Sequence, residues 1–376
     1  MQNTKFHIVA LCAILLAQVA VGQSSQSLDA QRAEFRRAKD LFEKEKYSSS
    51  QHAFEKYILN NQNKNDDNVE SAYFYSAVCA QLLSNLDAQV KLENFIRMYP
   101  QSAHVNMAHL FLGNHFYSER DYKSALEQYR MVDESLIEYG YRSEYDFKMG
   151  YCLFDAGRYR EAQKLFAQQV GGKSKYAASS LYYYAHIQYM QGEYEPALRN
   201  FRELQKDRRF TRIVPSYIAR IYYYLGREDE LLQMAPQLLQ DEETFRRDEI
   251  RQMIGEVYFN RGEYARALEQ YRAVAQGNDD GAGRCTPQDN DYQIGYCYYQ
   301  LGNYDSAAAY LVRKTVCSDS VAQNALYLLA DCYLKNGRKS DARSMFLQAS
   351  KMDFDPKIKE ESLFNYAKLG CELKQN

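Results

Sequence analysis

The sequence predicts an all-α fold, a solenoid of stacked helix-turn-helix hairpins. A pattern of small and aromatic residues recurs along the chain every 34 to 40 residues. Within each copy, apolar positions fall three and four residues apart, as they do on one face of an α-helix. Tyrosine is unusually abundant, with 35 copies beside 18 phenylalanines and no tryptophan in 376 residues. Together these observations indicate that one aromatic-rich helical unit is repeated.

The first 22 residues have the pattern of a secretory signal peptide. Lys5 precedes an apolar run from Ile8 to Ala17, and the small residues Ala20 and Gly22 fit the two pockets of a signal peptidase. We therefore expect cleavage after Gly22 and an exported chain in a bacterial periplasm or outer envelope. The alternative is a single uncleaved anchor, but the run is shorter than the roughly 20 residues that span a bilayer. We expect no transmembrane span in the mature chain.

The repeated pattern is clearest around residues 255–271. A small residue on a first helix (Gly255) is followed by a turn glycine (Gly262), an alanine on a second helix (Ala267) and an aromatic residue four positions later (Tyr271). We count nine such units within residues 23–356, which start near Gln31, Val69, Asn106, Ser143, Ala178, Arg212, Asp248, Gln288 and Gln323. The sixth unit (212–247) is degenerate, and a loop is inserted at residues 277–287.

Each recurring feature of the repeat unit has a physical reason. Because glycine takes the left-handed conformation at little cost, it can end the first helix of a unit. We expect this conformation at Gly157, Gly192, Gly226, Gly262, Gly302 and Gly337. The small residue on the first helix and the alanine on the second let the two backbones approach closely. No unit can bury its apolar face alone, so consecutive units must stack.

This order of residues resembles the tetratricopeptide repeat family, whose unit is about 34 residues long. The resemblance covers nearly all of residues 23–356 and implies a right-handed superhelix whose first helices line a concave groove. It places positions two, five, nine, twelve and thirteen of each unit in that groove. The partner-binding residues predicted in this way are Phe147, Tyr151, Phe154, Tyr182, His186, Tyr189, Arg220, Tyr223, Tyr224, Phe259, Tyr292, Tyr296, Tyr299 and Tyr327.

Two interpretations of this aromatic stripe stay open. Tyrosine is favoured at several of these positions by the repeat consensus, so the stripe is either general architecture or a selected binding track. Tyrosine suits a binding track because it offers a large contact area and one hydrogen bond at low rotamer cost. Glu256, Asp331, Arg220 and His186 add polar groups to the predicted groove. These four residues do not form a basic clamp.

Several kinds of chemistry find no support in the sequence. Lys and Arg number 47 against 49 Asp and Glu, so the chain lacks the positive charge of a general nucleic-acid binder. We find no catalytic constellation, no cofactor motif and no metal-ligand spacing, and we predict none of these sites. We predict that four cysteines are core thiols, namely Cys79, Cys152, Cys297 and Cys332. Pairing of Cys285 with Cys317 stays open.

The sequence therefore favours a non-catalytic protein-protein interaction scaffold of the cell envelope. We expect it to bind a protein or peptide segment in its concave, aromatic-lined groove. The alternative is a glycan-binding or peptidoglycan-binding solenoid, since stacked aromatic rings can bind sugar faces, although the absence of tryptophan counts against it. Residues 357–376 are expected to form a capping helix or the first helix of a truncated tenth unit.

Overall fold

The fold was obtained as a computed structural model, which describes residues 30–61, 67–240, 242–275 and 290–373. The predicted signal peptide and the inserted loop at 277–287 lie outside these ranges. Within them the regular structure consists of nineteen α-helices and one short 3-10 helix, and contains no strand. The prediction of an all-α fold is confirmed.

The helices fall into two compact units, one ending at Ile187 and one beginning at Gln188. The first unit contains α1 (30–43), α2 (Tyr47–Asn60), α3 (Asp67–Leu82), α4 (Ala88–Met98), α5 (Val105–Ser118), α6 (Tyr122–Arg130), the 3-10 helix η1 (Glu134–Leu136), α7 (Tyr139–Asp155) and α8 (Tyr159–Gln169). The dividing point falls within α9 (Ala177–Met190). The second unit contains α10 (Tyr194–Leu204), α11 (Val214–Tyr224), α12 (Glu228–Gln240), α13 (Arg247–Asn260), α14 (Tyr264–Ala275), α15 (Asp291–Gln300), α16 (Tyr304–Lys314), α17 (Ser320–Lys335), α18 (Lys339–Ser350) and α19 (Pro356–Glu372).

Consecutive helices pack as hairpins within each unit. In the first unit α3 packs on α4, α5 on α6 and α7 on α8, while the Ser50 hydroxyl of α2 donates to the Ala38 carbonyl of α1 over 2.9 Å. In the second unit the same arrangement joins α11 to α12, α13 to α14, α15 to α16 and α17 to α18. The last helix, α19, packs on α18. We call the two members of each hairpin its first and second helix.

The close approach predicted from the small residues is present in both units. A methyl group placed on Gly113 would lie 2.6 Å from the ring of Tyr129. In the second unit, a methyl group on Gly255 would lie 2.8 Å from the ring of Tyr271. Real carbon contacts are longer, so a Cβ at either position would collide with the ring where it now lies. Both rings are fully buried.

The alanines of the second helices are buried as well. Seven of them have no exposed surface, namely Ala88, Ala125, Ala162, Ala197, Ala267, Ala307 and Ala342. A larger side chain at such a position would have to displace its neighbours, which typically costs about 1 to 3 kcal/mol.

The turns between first and second helices differ along the chain. The predicted left-handed conformation is found at all six glycines, with φ between 67° and 78°, at Gly157, Gly192, Gly226, Gly262, Gly302 and Gly337. The first three hairpins have the same conformation at Glu45, Ser84 and Arg120, with φ of 56° to 62°. Side chains with a Cβ pay a steric cost there that glycine avoids.

The four predicted core thiols are buried and free, as expected. Burial raises the pKa of Cys152, Cys297 and Cys332 to about 12 and that of Cys79 to about 11. Cys317 is disulfide-bonded, whereas Cys285, its candidate partner, lies outside the described residues.

Candidate binding surface

In the first unit, aromatic rings connect one first helix to the next. The Tyr151 ring on α7 lies 5.6 Å from Tyr117 on α5 and 5.2 Å from Tyr183 on α9, measured between ring centroids. Both pairs meet edge to face, the favourable arrangement for aromatic rings. Burial raises the pKa of the Tyr117 and Tyr151 hydroxyls above the ordinary range. These three tyrosines, which we call the ring row, run across three successive first helices.

The other predicted residues near α9 extend this aromatic surface. Phe154 lies 5.1 Å from Tyr183 and 5.6 Å from His186, between ring centroids. Tyr182 stacks on His186 at 5.9 Å. All of these side chains are half-buried. The structure therefore brings Phe154 of α7 together with His186 of α9, and Tyr182 and Tyr183 of α9 lie beside them.

Two predicted residues also contact their own second helix. Phe147 lies 6.1 Å from Phe166 of α8, and Tyr327 lies 5.7 Å from Phe346 of α18, between ring centroids. Phe166 and Phe346 are the fully buried aromatic residues of those second helices. Phe147 and Tyr327 therefore contribute to hairpin packing as well as to the surface.

In the second unit, Arg220 of α11 is held between aromatic rings and a carboxylate. Its guanidinium carbon lies 5.3 Å from the ring centroid of Tyr189 and 6.0 Å from that of Tyr217. One guanidinium nitrogen lies 3.4 Å from a carboxylate oxygen of Glu249 on α13. The Arg220 side chain is only 12% exposed. Cation-π and ionic contacts therefore fix its position.

The next first-helix contact in this unit is polar. The Tyr223 hydroxyl of α11 donates to Glu256 of α13, and the Gln252 amide donates to the other carboxylate oxygen over 3.1 Å. Asn290 in turn donates to Gln252 over 2.7 Å. The hydrogen bond to Glu256, followed by burial, raises the pKa of Tyr223 to about 12.

The same tyrosine-carboxylate contact recurs further along the second unit. The Tyr299 hydroxyl of α15 donates to Asp331 of α17 over 2.7 Å. Tyr327 of α17 interacts with Glu361 of α19, and burial together with this carboxylate raises the pKa of Tyr327 to about 12. We call Tyr223-Glu256, Tyr299-Asp331 and Tyr327-Glu361 the carboxylate row.

The remaining predicted residues form ring contacts beside the carboxylate row. Phe259 of α13 lies 5.1 Å from Tyr296 of α15, and Tyr296 lies 6.1 Å from Tyr292, between ring centroids. Tyr224 stacks on Tyr194 at 5.1 Å and is 46% exposed, so it is the most accessible of these rings.

Some contributors were not among the predicted residues. Glu249 and Gln252 occupy positions two and five of the seventh unit, so the groove pattern itself pointed to them. Tyr117 occupies position twelve of the third unit in the same way. Tyr183 lies outside the groove pattern, and only its contacts identify it.

Two further properties concern the described residues as a whole. No group of three or more His, Cys, Asp or Glu side chains in the described ranges is arranged to hold a metal ion. Among the helices of those ranges, none has the length and apolar character needed to cross a membrane.

Residues 292–356, which comprise most of α15 and all of α16 to α18, match the tetratricopeptide repeat family. This part of the chain carries tetratricopeptide repeats. The matched hairpins contain the same buried alanines and aromatic contacts as the hairpins before them. The family resemblance predicted from the residue pattern is therefore confirmed for residues 292–356.

This repeat chain is also similar to known proteins. It is 25% identical to lipopolysaccharide assembly protein B of Escherichia coli K12 over 276 residues, which span 72% of this chain and 68% of that protein. A tetratricopeptide repeat protein from Parabacteroides merdae is 17% identical, with a TM-score of 0.41, over 70% of this chain and 98% of the other. YrrB, described as a tetratricopeptide repeat protein with an unusual peptide-binding site, is 17% identical, with a TM-score of 0.43, over 52% of this chain and 96% of the other.

Proposed function

We propose that the chain is a non-catalytic scaffold of the bacterial cell envelope that binds a protein or peptide segment along its first helices. The observation that carries this proposal is the alignment of tyrosines from one first helix to the next. The ring row does this in the first unit, and the carboxylate row does it in the second. Both rows fix large amphipathic side chains before a partner arrives, which lowers the entropy lost on binding.

The surface also offers the mixture of groups that a peptide needs. Tyr224 presents an accessible ring, and Tyr189 presents a ring fixed by Arg220. Further along the first helices, Glu256 and Asp331 place carboxylates beside Tyr223 and Tyr299. Aromatic residues and arginine dominate the strongest contacts of protein interfaces. These residues therefore form the most promising contact region of the second unit.

Location in the envelope is supported by two independent features. The first 22 residues have the pattern of a secretory signal. The chain is also similar to a protein named for lipopolysaccharide assembly. Cleavage after Gly22 is part of the proposal, and sequencing the amino terminus of the exported chain tests it directly.

Site-specific photo-crosslinking in the native envelope tests the binding surface. A photoreactive residue at Tyr224 should label one protein partner, because this ring is exposed on a first helix. The matched control is Val312, which is similarly exposed on the second helix α16 of the same unit and should not label that partner. Equal labelling from both positions would contradict the proposed surface.

A double variant gives the energetic test. Tyr189→Ala with Tyr223→Ala should weaken binding of the crosslinked partner by about 2 kcal/mol or more if these side chains are hot spots. Circular dichroism verifies that the variant is folded. Retention of the chain on purified peptidoglycan, lost in the same double variant, would instead favour the glycan-binding alternative.

A further inference from the structure

The last helix of the second unit, α19, leaves an apolar line open. Phe364 is 68% exposed and Leu363 is 54% exposed, and Ala367 and Cys371 are also accessible. Residues three, four and seven positions apart lie on one face of a helix, so these side chains form a single stripe. Contiguous exposed apolar side chains mark interaction surfaces.

The earlier hairpins show what kind of structure fits this stripe. In α17, Tyr327 stands three residues before Ala330, and both face α18, where the Tyr327 ring lies 5.7 Å from Phe346 and Ala330 has no exposed surface. Phe364 and Ala367 repeat this aromatic and small pair with the same spacing. Within residues 290–373, no helix covers them. An α-helix is therefore the shape that this face accommodates.

The opposite side of α19 is already fixed. The Arg343 guanidinium of α18 donates to the Tyr366 hydroxyl over 3.0 Å, and the Lys339 ammonium lies 2.9 Å from the Glu372 carboxylate. Leu369 is buried in the same contact. The open stripe is thus presented on a helix with a defined orientation.

The charges beside the stripe are self-complementary. Glu360 lies four residues before Phe364, and Lys368 lies four residues after it, and both are exposed. Two copies of such a helix that cross antiparallel at Phe364 bring each Glu360 next to the Lys368 of the other copy. A two-fold arrangement makes every such contact twice. Opposite charges at these flanking positions set partner and orientation in paired helices.

We propose that α19 is a homodimerisation helix, packed antiparallel against α19 of a second copy about a two-fold axis at Phe364. Ala367 lets the two backbones approach beside the paired phenylalanines. The interface involves one helix from each copy, so it falls in the small class, below about 1,200 Å², that is typical of weak and reversible association. The proposal is independent of what the first helices bind.

Sedimentation of the purified chain over a concentration series tests the proposal. We expect a reversible monomer-dimer equilibrium, and Phe364→Ala should raise its Kd about thirtyfold, equivalent to about 2 kcal/mol. The matched control is Leu86→Ala, which removes a fully exposed apolar side chain of the first unit and should leave Kd unchanged. A chain that stays monomeric at every concentration, or a dimer insensitive to Phe364→Ala, would overturn the proposal.

Charge exchange tests whether the occupant is a second copy. Glu360→Lys and Lys368→Glu should each weaken self-association, because each variant brings like charges together. A mixture of the two variants should dimerise like the native chain, because each Lys then faces a Glu. Failure of the mixture to recover association would rule out the antiparallel two-fold contact.

Disulfide trapping tests the orientation. Phe364→Cys in a Cys371→Ser background should form a crosslinked dimer under mild oxidation. Native Cys371 should not, because antiparallel packing about residue 364 separates the two Cys371 residues by about 21 Å along the helices, at 1.5 Å per residue. Efficient crosslinking at both positions would show a parallel arrangement, and crosslinking at Cys371 alone would place the crossing point away from Phe364; either result would contradict the proposal.

Discussion

Both units connect neighbouring first helices through ring contacts, and the second unit adds polar contacts to them. In the first unit, Tyr151 joins neighbouring first helices through ring contacts with Tyr117 and Tyr183. In the second unit, Tyr223 and other tyrosines reach the next first helix through hydroxyl groups that donate to carboxylates. Ring contacts depend on buried area, whereas hydrogen bonds to ions depend on charge state. Tyr117 and Tyr223 both occupy position twelve of their units, so tyrosine can keep one position in a repeat while its role changes from packing to polar bonding.

Removal of a ring should give the largest difference in the free energy of unfolding between the two units. Tyr151→Ala removes contacts with Tyr117, Tyr122 and Tyr183, and should lower the free energy of unfolding of the first unit by about 3 kcal/mol. Tyr299→Phe in the second unit removes one hydrogen bond to a carboxylate, and should cost about 1.5 to 2 kcal/mol. Urea unfolding followed by circular dichroism measures both. A larger loss for Tyr299→Phe would mean that the ring row is not the stronger connection.

Alkaline titration should distinguish the two kinds of tyrosine. The pKa of Tyr223 is raised to about 12, chiefly by its hydrogen bond to Glu256. Because the folded-state pKa lies above the unfolded value of about 10, the stability that this group contributes is complete below pH 10. That contribution is lost as the pH rises from about 10 to about 12. The neutral hydroxyl is the stabilising form.

Replacing the carboxylate tests the cause of that shift. Glu256→Gln should lower the pKa of Tyr223 towards 10, because the ionised acceptor is gone. Tyr141 in the first unit is the control, since burial is the main cause that raises its pKa to about 12, and its titration should not change. Carbon-13 NMR of labelled tyrosines measures both values. A Tyr223 pKa that stays near 12 would indicate that burial, not Glu256, controls it.

Substitutions in the turns between helices should give the smallest change in stability. Arg120 has a left-handed φ of 62° in the first unit, where the second unit uses glycine at the same place. Arg120→Gly should stabilise the first unit by about 0.5 to 1 kcal/mol, because relief of steric strain exceeds the entropy cost of glycine. Thermal unfolding should then show a Tm about 1 to 4 °C higher. Gly262→Ala in the second unit should have the opposite sign.

Much of the fold could be predicted because spacing encodes it. The distance from Gly255 to Tyr271 fixes which ring lies on which helix, and the structure shows that contact. The partners across neighbouring repeats were harder to predict. Tyr223 and Glu256 were both identified from their positions, but their bond joins residues that are 33 apart. Adding about one repeat length to the position of Tyr223 leads to Glu256, so this contact could have been found from the sequence. The contacts of Tyr183, by contrast, depend on side-chain rotamers.

The buried cysteines of both units are natural probes of local unfolding. Cys79 and Cys152 lie in the first unit and Cys297 and Cys332 in the second, all free and shielded from solvent. A thiol with a raised pKa reacts slowly with alkylating reagents because little thiolate is present. Pulsed alkylation followed by peptide mass spectrometry would therefore report how often each unit exposes its interior, residue by residue and without any engineered label.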